Sequence, residues 1–248
     1  MIVHELRSPL DGIKKISEVL RSKTVKRNSQ SFEEYLAMIY QNSSNMLNLI
    51  NDILDLAKLE AGKFEVHPVS TDVKELIEKR VSFFKLLAED KKIKLNSVID
   101  PALPKQILAD PEAINQSLNN FISNAIKFTD HGEVTVAAFV HNPDKRAVDE
   151  INALGIKLAT SLPDEIKMTT PALFVAVADS GAGISGEGLS QLFGKFKQLS
   201  TNKLPVGKKG TGLGLSTVFG IVKQAEGHIE VESAPGRGTA FRIYLPLA

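Results

Sequence analysis

The sequence has no cysteine among its 248 residues. The chain therefore forms no disulfide, no thiolate metal site and no cysteine nucleophile, which fits a reducing compartment. An excess of charge of either sign is also absent, because the chain has 30 basic and 29 acidic residues. The net charge therefore attracts neither nucleic acid nor an anionic membrane. No apolar run approaches the roughly eighteen residues that span a bilayer, and no signal peptide opens the chain. We expect a soluble globular protein, since 43% hydrophobic and 24% charged residues are ordinary proportions.

The first quarter of the chain has the spacing of two amphipathic helices. Ser31 with Glu34 resembles a capping box and Gly62 suits a helix end, which predicts a helix of roughly thirty residues. A polar stretch, residues 22–30, joins it to an earlier helix. The apolar or small positions are Leu6, Leu10, Ile13 and Leu20 in the first helix, and Phe32, Leu36, Ile39, Ser43, Met46, Ile50, Ile53 and Ala57 in the second. Such a hairpin buries little alone, so we expect a second copy to complete a four-helix bundle, unless the stripe packs on the following domain.

The rest of the chain predicts an α/β sandwich with a mixed sheet covered by helices. The predicted helices are 73–91 and a helix that starts at Asp110-Pro111 and reaches Phe128; the predicted strands are 93–98, 106–109, one around Val134 and Val136, 173–178, 229–232 and 241–245, with a turn at 235–238. Residues 140–171, with three prolines and a helical middle at 146–159, are expected to form a surface excursion rather than a dedicated binding element.

Three polar residues share one face of the predicted helix that ends at Phe128. Asn120, Asn124 and Lys127 fall at i, i+4 and i+7, while Ile122 and Ala125 turn towards the core. Amide oxygens are good ligands for Mg²⁺, and a lysine one turn later can meet a phosphate. The alternative is a solvated helix face.

A carboxylate follows the apolar strand 173–178. Burying the Asp179 carboxylate there would cost free energy unless it accepted a hydrogen bond, for example from the exocyclic amino group of adenine. Gly181 and Gly183 would let the backbone approach a flat base. The alternative is a tight turn after a strand.

A glycine-rich run precedes another amphipathic helix. Gly210, Gly212 and Gly214 leave unpaired N–H groups and the positive end of the helix dipole directed at any nearby phosphate. Residues 185–209, which carry Phe193 and Phe196, have the character of a mobile lid, although a surface loop has a similar composition.

In this order, the runs 120–128, 179–183 and 210–215 closely resemble the N, G1 and G2 boxes of the sensor histidine kinases, which belong to a wider group of ATPases with gyrase and its chaperone relatives. Residues 4–10 are similar to their H box and 192–196 to their F box. The resemblance covers almost the whole chain except 140–171. It implies an α+β fold: a helical hairpin over residues 1–64, half of a four-helix bundle, then a Bergerat-type α/β sandwich over 65–248.

The resemblance also implies ATP and Mg²⁺ as cofactors and assigns roles to the motif residues. Asn124 coordinates Mg²⁺ with support from Asn120, Lys127 contacts phosphate, Asp179 recognises adenine, and Thr239 touches adenine through water. The glycines Gly210, Gly212 and Gly214 hinge the lid and meet the phosphates. The other residues implied in the nucleotide site are Phe128, Gly181, Gly183, Ile184, Phe193, Phe196, Thr211, Leu213 and Leu215.

His4 is implied as the phosphoryl acceptor, with Glu5 orienting its ring and taking up its proton. A neutral imidazole can attack the γ-phosphorus in line. Ser8 stands where the family most often has Thr or Asn, a position linked to phosphatase activity on the partner, which leaves that activity open. Hydrolytic relatives typically place a general-base Glu where this chain has Asn120, so we expect transfer rather than hydrolysis.

We therefore expect the catalytic core of a sensor histidine kinase, whose partner is a response-regulator receiver domain. A homodimer is expected, weakened because only three residues precede His4, as in an excised fragment. The expected location is cytoplasmic, or the cytoplasmic part of a membrane-bound sensor. The alternatives are an ATP-hydrolysing conformational clamp and a non-catalytic nucleotide-binding assembly module.

Overall fold

The computed structural model describes residues 2–22, 29–144, 147–153, 170–195, 197 and 212–247, without the side chains of residues 2–5, 147, 148 and 153. The helices are α1 (Ile2–Arg21), α2 (Gln30–Glu60), α3 (Val73–Asp90), α4 (Pro111–Phe128), α5 (Ala147–Ala153), α6 (Gly186–Gln191) and α7 (Gly214–Gln224). The strands are β1 (Val69–Thr71), β2 (Ile93–Ile99), β3 (Ile107–Ala109), β4 (Gly132–His141), β5 (Ala172–Asp179), β6 (His228–Ser233) and β7 (Thr239–Pro246). No helix in these ranges is both long enough and apolar enough to cross a bilayer.

The two N-terminal helices form the predicted hairpin. The cap of α2 is Ser29, whose hydroxyl accepts from the backbone N–H of Phe32 at 3.3 Å. The helix thus begins at Gln30, and the predicted capping box at Ser31 is wrong. Its end agrees with the prediction, because Gly62 has a φ of +62° just after the last turn.

The apolar stripe of α2 divides between covered and exposed positions. Phe32, Ile39, Met46 and Ile53 are partly buried. Another group along the same helix stays exposed, at Leu36 (41%), Tyr40 (76%), Leu47 (61%), Ile50 (36%) and Leu54 (54%). On α1 the predicted core position Leu10 is 53% exposed. One hairpin therefore leaves an apolar face uncovered.

A five-stranded mixed sheet, in the order β2-β4-β5-β7-β6, organises the second part of the chain. Strands β2 and β4 run parallel, and every other neighbouring pair runs antiparallel. A small antiparallel pair, β1 with β3, lies apart from this sheet. The predicted mixed sheet is confirmed.

Helices pack on both faces of the sheet. On one face α3, α4 and α7 enclose the main core, in which the Phe121 and Phe241 rings stack with centroids 4.9 Å apart. On the other face Phe139, Phe174 and Tyr244 form a second cluster with Ile151 of α5. Side chains alternate between the two clusters along β4 and β5, as a two-sided sheet requires.

The differences from the predicted elements are mostly at ends and in short pieces. Strand β5 extends through Asp179, so this residue ends the strand instead of following it. Neither β1 nor α6 was predicted; α6 lies inside the predicted lid. Helix α5 corresponds to the first half of the predicted helix 146–159, and residues 154–169 of the excursion lie outside the described residues. The domain boundary at residue 64 stays a prediction.

Candidate nucleotide-binding site

Helix α4 is fixed at both ends. At its start the Asp110 carboxylate accepts from the backbone N–H groups of Glu112 at 2.8 Å and of His67 at 2.9 Å. At its end the Lys91 ammonium donates to the carbonyls of Ile126 at 2.5 Å and Lys127 at 3.2 Å, which satisfies acceptors that a helix terminus leaves open. Side chains on the outer face of α4 are thus held on a rigid support.

The predicted polar face of α4 points away from the core. Ile122 and Ala125 are buried, whereas Asn120 and Asn124 are partly exposed on the opposite side. Asn120 donates through Nδ2 to the carbonyl of Gln116 at 3.1 Å, which orients its Oδ1 away from its own helix. Asn124 leaves its amide on the open face. Two neutral oxygen donors one turn apart therefore line this surface.

Asp179 is a buried carboxylate, with 7% of its surface exposed. Burial raises its pKa from 3.8 to about 6, against the opposing effect of hydrogen bonds from the backbone at Gly181 and Thr239. The Gly181 N–H donates to Oδ1 at 2.8 Å. An acidic group retained at such a cost is a candidate for ligand recognition.

Thr239 lies directly opposite Asp179 in the β5–β7 register. The Ser233 hydroxyl donates to the carbonyl of Gly238 at 2.8 Å and accepts from the Ile184 N–H at 2.8 Å. Because its one proton is used, the Thr239 hydroxyl must be the donor in their 2.9 Å contact. The Thr239 oxygen then keeps its lone pairs for a further hydrogen bond.

The glycine at position 183 is required by close packing. Gly183 has a φ of +69°, and a Cβ on it would lie 1.9 Å from the carbonyl oxygen of Ala234. The loop after β5 thereby passes tightly over the β6–β7 turn, and the predicted approach of Gly183 to a flat base stays a prediction.

The start of α7 lies directly against Asn120. A Cβ on Gly214 would be 1.9 Å from the Asn120 Oδ1, so any larger residue would displace the Asn120 amide from this position. The cap position, Leu213, makes no side-chain cap hydrogen bond to the first turn. The N–H groups and positive dipole of an eleven-residue helix are therefore presented beside the amides of α4.

These contacts arrange the predicted residues along the outer side of α4, between Phe128 and Asn120, a surface that we call the groove. The Ala182 N–H donates to the carbonyl of Phe128 at 3.3 Å, which ties the Asp179 loop to the end of α4. Gly214 meets the same helix at Asn120, eight residues or about 12 Å earlier. We name the first region the carboxylate end of the groove and the second the amide end. An acceptor for a donor-bearing base and donors for phosphate thus stand at opposite ends.

The aromatic residues flank this groove. The Phe128 ring is 38% exposed, and the Lys127 Nζ lies 5.1 Å from its centroid. Phe193 packs on Phe219 of α7 with centroids 5.2 Å apart. Among the remaining predicted residues, Gly212 and Leu215 adjoin the start of α7, and Leu213 is fully buried.

Several predicted site residues cannot be placed. Phe196, Gly210 and Thr211 lie outside the described residues, as do all the other residues from 198 to 211. His4 and Glu5 lie in the first turn of α1, with side chains outside the described part, and Ser8 is exposed one turn later.

A carboxylate- or histidine-rich metal site is not found in the described part of the chain, where no three such side chains cluster. Any cation here would depend on the amide oxygens of α4 and on its ligand's own oxygens. This donor set fits Mg²⁺ held by phosphates, which typically takes few protein ligands.

Sequence reasoning missed the residues that support the groove. Ser233 and Lys91 contact groove residues only after folding, 49 and 35 positions from Ile184 and Ile126 respectively. The only local signal for Ser233 was its position beside a predicted glycine turn, and Lys91 had no local signal.

Two family models match the chain. Residues 1–62 match the model described as the His Kinase A (phospho-acceptor) domain, and residues 109–248 match that of the histidine kinase-, DNA gyrase B- and HSP90-like ATPases. The second match begins in β3 and contains all the groove residues described above.

Several known proteins align with nearly the whole chain. The sensor protein EvgS of Escherichia coli O157:H7 is 32% identical over 247 residues, covering 98% of this chain and 18% of that protein. The histidine protein kinase DivJ of Caulobacter vibrioides is 31% identical over 245 residues, covering 98% of this chain and 36% of that protein. The crystal structure of full-length ShkA in complex with AMPPNP superposes with a TM-score of 0.68 and 25% identity, covering 99% of this chain and 44% of that one. The chain thus corresponds to a minor part of each of these larger proteins.

Proposed function

This chain belongs to the histidine kinases of two-component systems and forms their catalytic core, and from that membership we propose that it transfers the γ-phosphoryl group of ATP to its own His4 and then to an aspartate of a response-regulator receiver domain. The proposed organisation is an acceptor hairpin over residues 1–64 and an ATP-binding domain over residues 65–248.

The groove along α4 carries this proposal. Its carboxylate end offers an acceptor, Asp179, to the amino group of adenine, with the Thr239 oxygen beside it. Its amide end offers Asn120 and the backbone N–H groups at the start of α7 to the phosphates. The separation of about 12 Å along the helix suits a nucleoside triphosphate lying along the groove.

The amides of α4 fit a magnesium ion bound together with the nucleotide. Asn124, with Asn120, would hold it, and Lys127 would meet a phosphate as a point charge. Bound Mg²⁺ would neutralise charge on the phosphate oxygens. The chain's own contribution is to keep these side chains on a helix whose two ends are fixed.

The transfer step requires an acceptor other than water. A ring nitrogen of His4 attacks the γ-phosphorus, the nitrogen–phosphorus bond forms, and the bond to the bridging oxygen breaks, with its electron pair leaving on ADP. Glu5 is the proposed acceptor of the ring proton. Position 120 holds an amide, which cannot take a proton from water, so we expect hydrolysis to be slow.

The exposed apolar face of α2 supports the proposed homodimer. Leu36, Leu47, Ile50 and Leu54 recur at helical spacing and remain exposed in one chain. A second hairpin would cover them and complete a four-helix bundle.

Incubation with γ-labelled ATP tests the proposed function. We expect an acid-labile, base-stable label on the chain, which is lost in His4→Gln while that variant binds ATP normally. Release of free phosphate without labelled protein would instead indicate a hydrolysing clamp. Neither product, with nucleotide bound, would indicate an assembly module.

A further inference from the structure

The register of the hairpin locates the first turn of α1. Gly12 faces Asn42, because a Cβ on Gly12 would lie 3.4 Å from the Asn42 amide. Leu6 packs against the buried cluster of Leu49, Leu56 and Leu213, whose α2 members lie after Asn42, so residue numbers fall along α1 as they rise along α2, and the helices are antiparallel. His4 is eight residues before Gly12, about 12 Å along the axis, which brings it level with residue 50 of α2.

The α/β part of the same chain contacts α2 at that same end. Leu213 joins the cluster of Leu49 and Leu56. Gln116 of α4 donates to the Asp55 carboxylate at 2.6 Å. Two further contacts extend this contact zone, an ion pair of Lys195 with Glu60 and the approach of Gly220 to Leu59. All these positions of α2 lie between residues 49 and 60.

The contacts of Leu213 and Gln116 come from the amide end of the groove. Leu213 immediately precedes Gly214, whose backbone meets Asn120. Gln116 accepts from the Asn120 side chain through its carbonyl and so lies one turn before it. The phosphate-binding region and the first turn of α1 therefore flank one short segment of one helix, within a single chain.

We infer that His4 is phosphorylated by the nucleotide bound to its own chain and not by that of a partner subunit. The inference rests on the proposed function and adds the identity of the acceptor chain. In a dimer built on the exposed face of α2, the partner subunit's hairpin would lie on the side of Leu47 and Leu54, both exposed, whereas Leu49 and Leu56 are buried in a cluster with Leu213 of the same chain. The γ-phosphate would thus be delivered at the end of the chain's own hairpin.

Pairing two complementary defects tests this assignment. His4→Gln keeps the groove and lacks the acceptor; Asn124→Ala keeps the acceptor and lacks the amide that we expect Mg-ATP binding to require. The two variants of this chain carry different affinity tags and differ in size. They are co-expressed and purified through both tags, so that every particle contains one of each. They are then incubated with γ-labelled ATP beside the unmodified chain.

We expect less than about a twentieth of the unmodified label on the Asn124→Ala subunit, and label approaching half of the unmodified amount on it would overturn the inference. If light scattering finds a monomer, so that no mixed particle is recovered, the rate of labelling per chain is measured over a hundredfold range of concentration. A constant rate supports transfer within the chain, and a proportional rate overturns it. Absence of label on the unmodified chain would overturn the proposed function and this inference together. Label on both the unmodified chain and the Asn124→Ala subunit would overturn this inference alone.

Discussion

Asp179 should make nucleotide binding depend on pH in a way that its amide analogue does not. Adenine donates a hydrogen bond from its amino group, so the ionised carboxylate is the better acceptor. With a pKa of about 6, the group is about 97% ionised at pH 7.5 and about one-tenth ionised at pH 5. If only the ionised form binds well, the Kd for ATP rises about tenfold over that interval.

Asp179→Asn is the matched comparison, because its amide retains an oxygen for the Gly181 N–H but cannot ionise. Isothermal titration of ATP between pH 5 and 7.5 is measured for both proteins. All other ionisable groups are common to the two proteins, so the ratio of their Kd values isolates this carboxyl. At pH 7.5 we expect the unmodified chain to bind ATP about tenfold more tightly than Asp179→Asn does. Near pH 5 we expect the two proteins to bind ATP with similar affinity. A ratio that does not change with pH would refute the reasoning.

The same carboxyl should lower the stability of the nucleotide-free protein at neutral pH. Its folded pKa of about 6 lies above the ordinary 3.8, so the folded state binds the proton more tightly than the unfolded state. The resulting stability is present below pH 4 and is lost as pH rises through 6, by up to about 3 kcal/mol. Urea denaturation at pH 7.5 should therefore find Asp179→Asn more stable than the unmodified chain, with the difference gone near pH 4.

Three further substitutions test separate parts of the site. Gly214→Ala would bring a Cβ within 1.9 Å of the Asn120 oxygen and should weaken ATP binding about tenfold or more, whereas Gly186→Ala, with no atom within 4 Å, should not change it. Asn124→Ala should abolish Mg-ATP binding in a calorimetric titration with unchanged circular dichroism, while Ser123→Ala, exposed on the same helix, should bind normally. Leu54→Glu, at a side chain 54% exposed in one chain, should shift the mass measured by light scattering from dimer to monomer.

A contrary result for any of these three variants would contradict one specific part of the proposed site or interface. Normal affinity in Gly214→Ala would mean that the start of α7 can move away from α4 without loss. Unchanged affinity in Asn124→Ala would remove that amide from the groove. A Leu54→Glu dimer would assign the contact between copies to another surface.

Much of the fold was predictable because helical and strand periodicity are local properties. The ends of α4 at Asp110 and Phe128 followed from a cap residue, a proline and the apolar spacing. The start of α2 was misplaced by two residues because Ser29 and Ser31 both offer a cap, and the sequence does not rank them. Strand β1 was not predicted, because three residues are too few to show alternation of apolar and polar side chains and because its partner, β3, is 36 residues away.

The candidate site was predictable as a collection of motifs but not as a geometry. The position of Thr239 opposite Asp179 depends on the register of two strands whose residues are sixty positions apart. The contact of Gly214 with Asn120 depends on how α7 packs against α4. Likewise, the burial of Leu49 and Leu56 against Leu213 was invisible in the stripe of α2, since these residues face the second domain and not the other hairpin helix alone.

The most direct test is a crystal structure of the chain with Mg²⁺ and a non-hydrolysable ATP analogue. The account predicts the adenine amino group within hydrogen-bond distance of Asp179 and the γ-phosphate beside Asn120 and Gly214, at the end of the hairpin that carries His4. A nucleotide bound away from α4, or one lying in the groove with its phosphates at the Asp179 end, would contradict it.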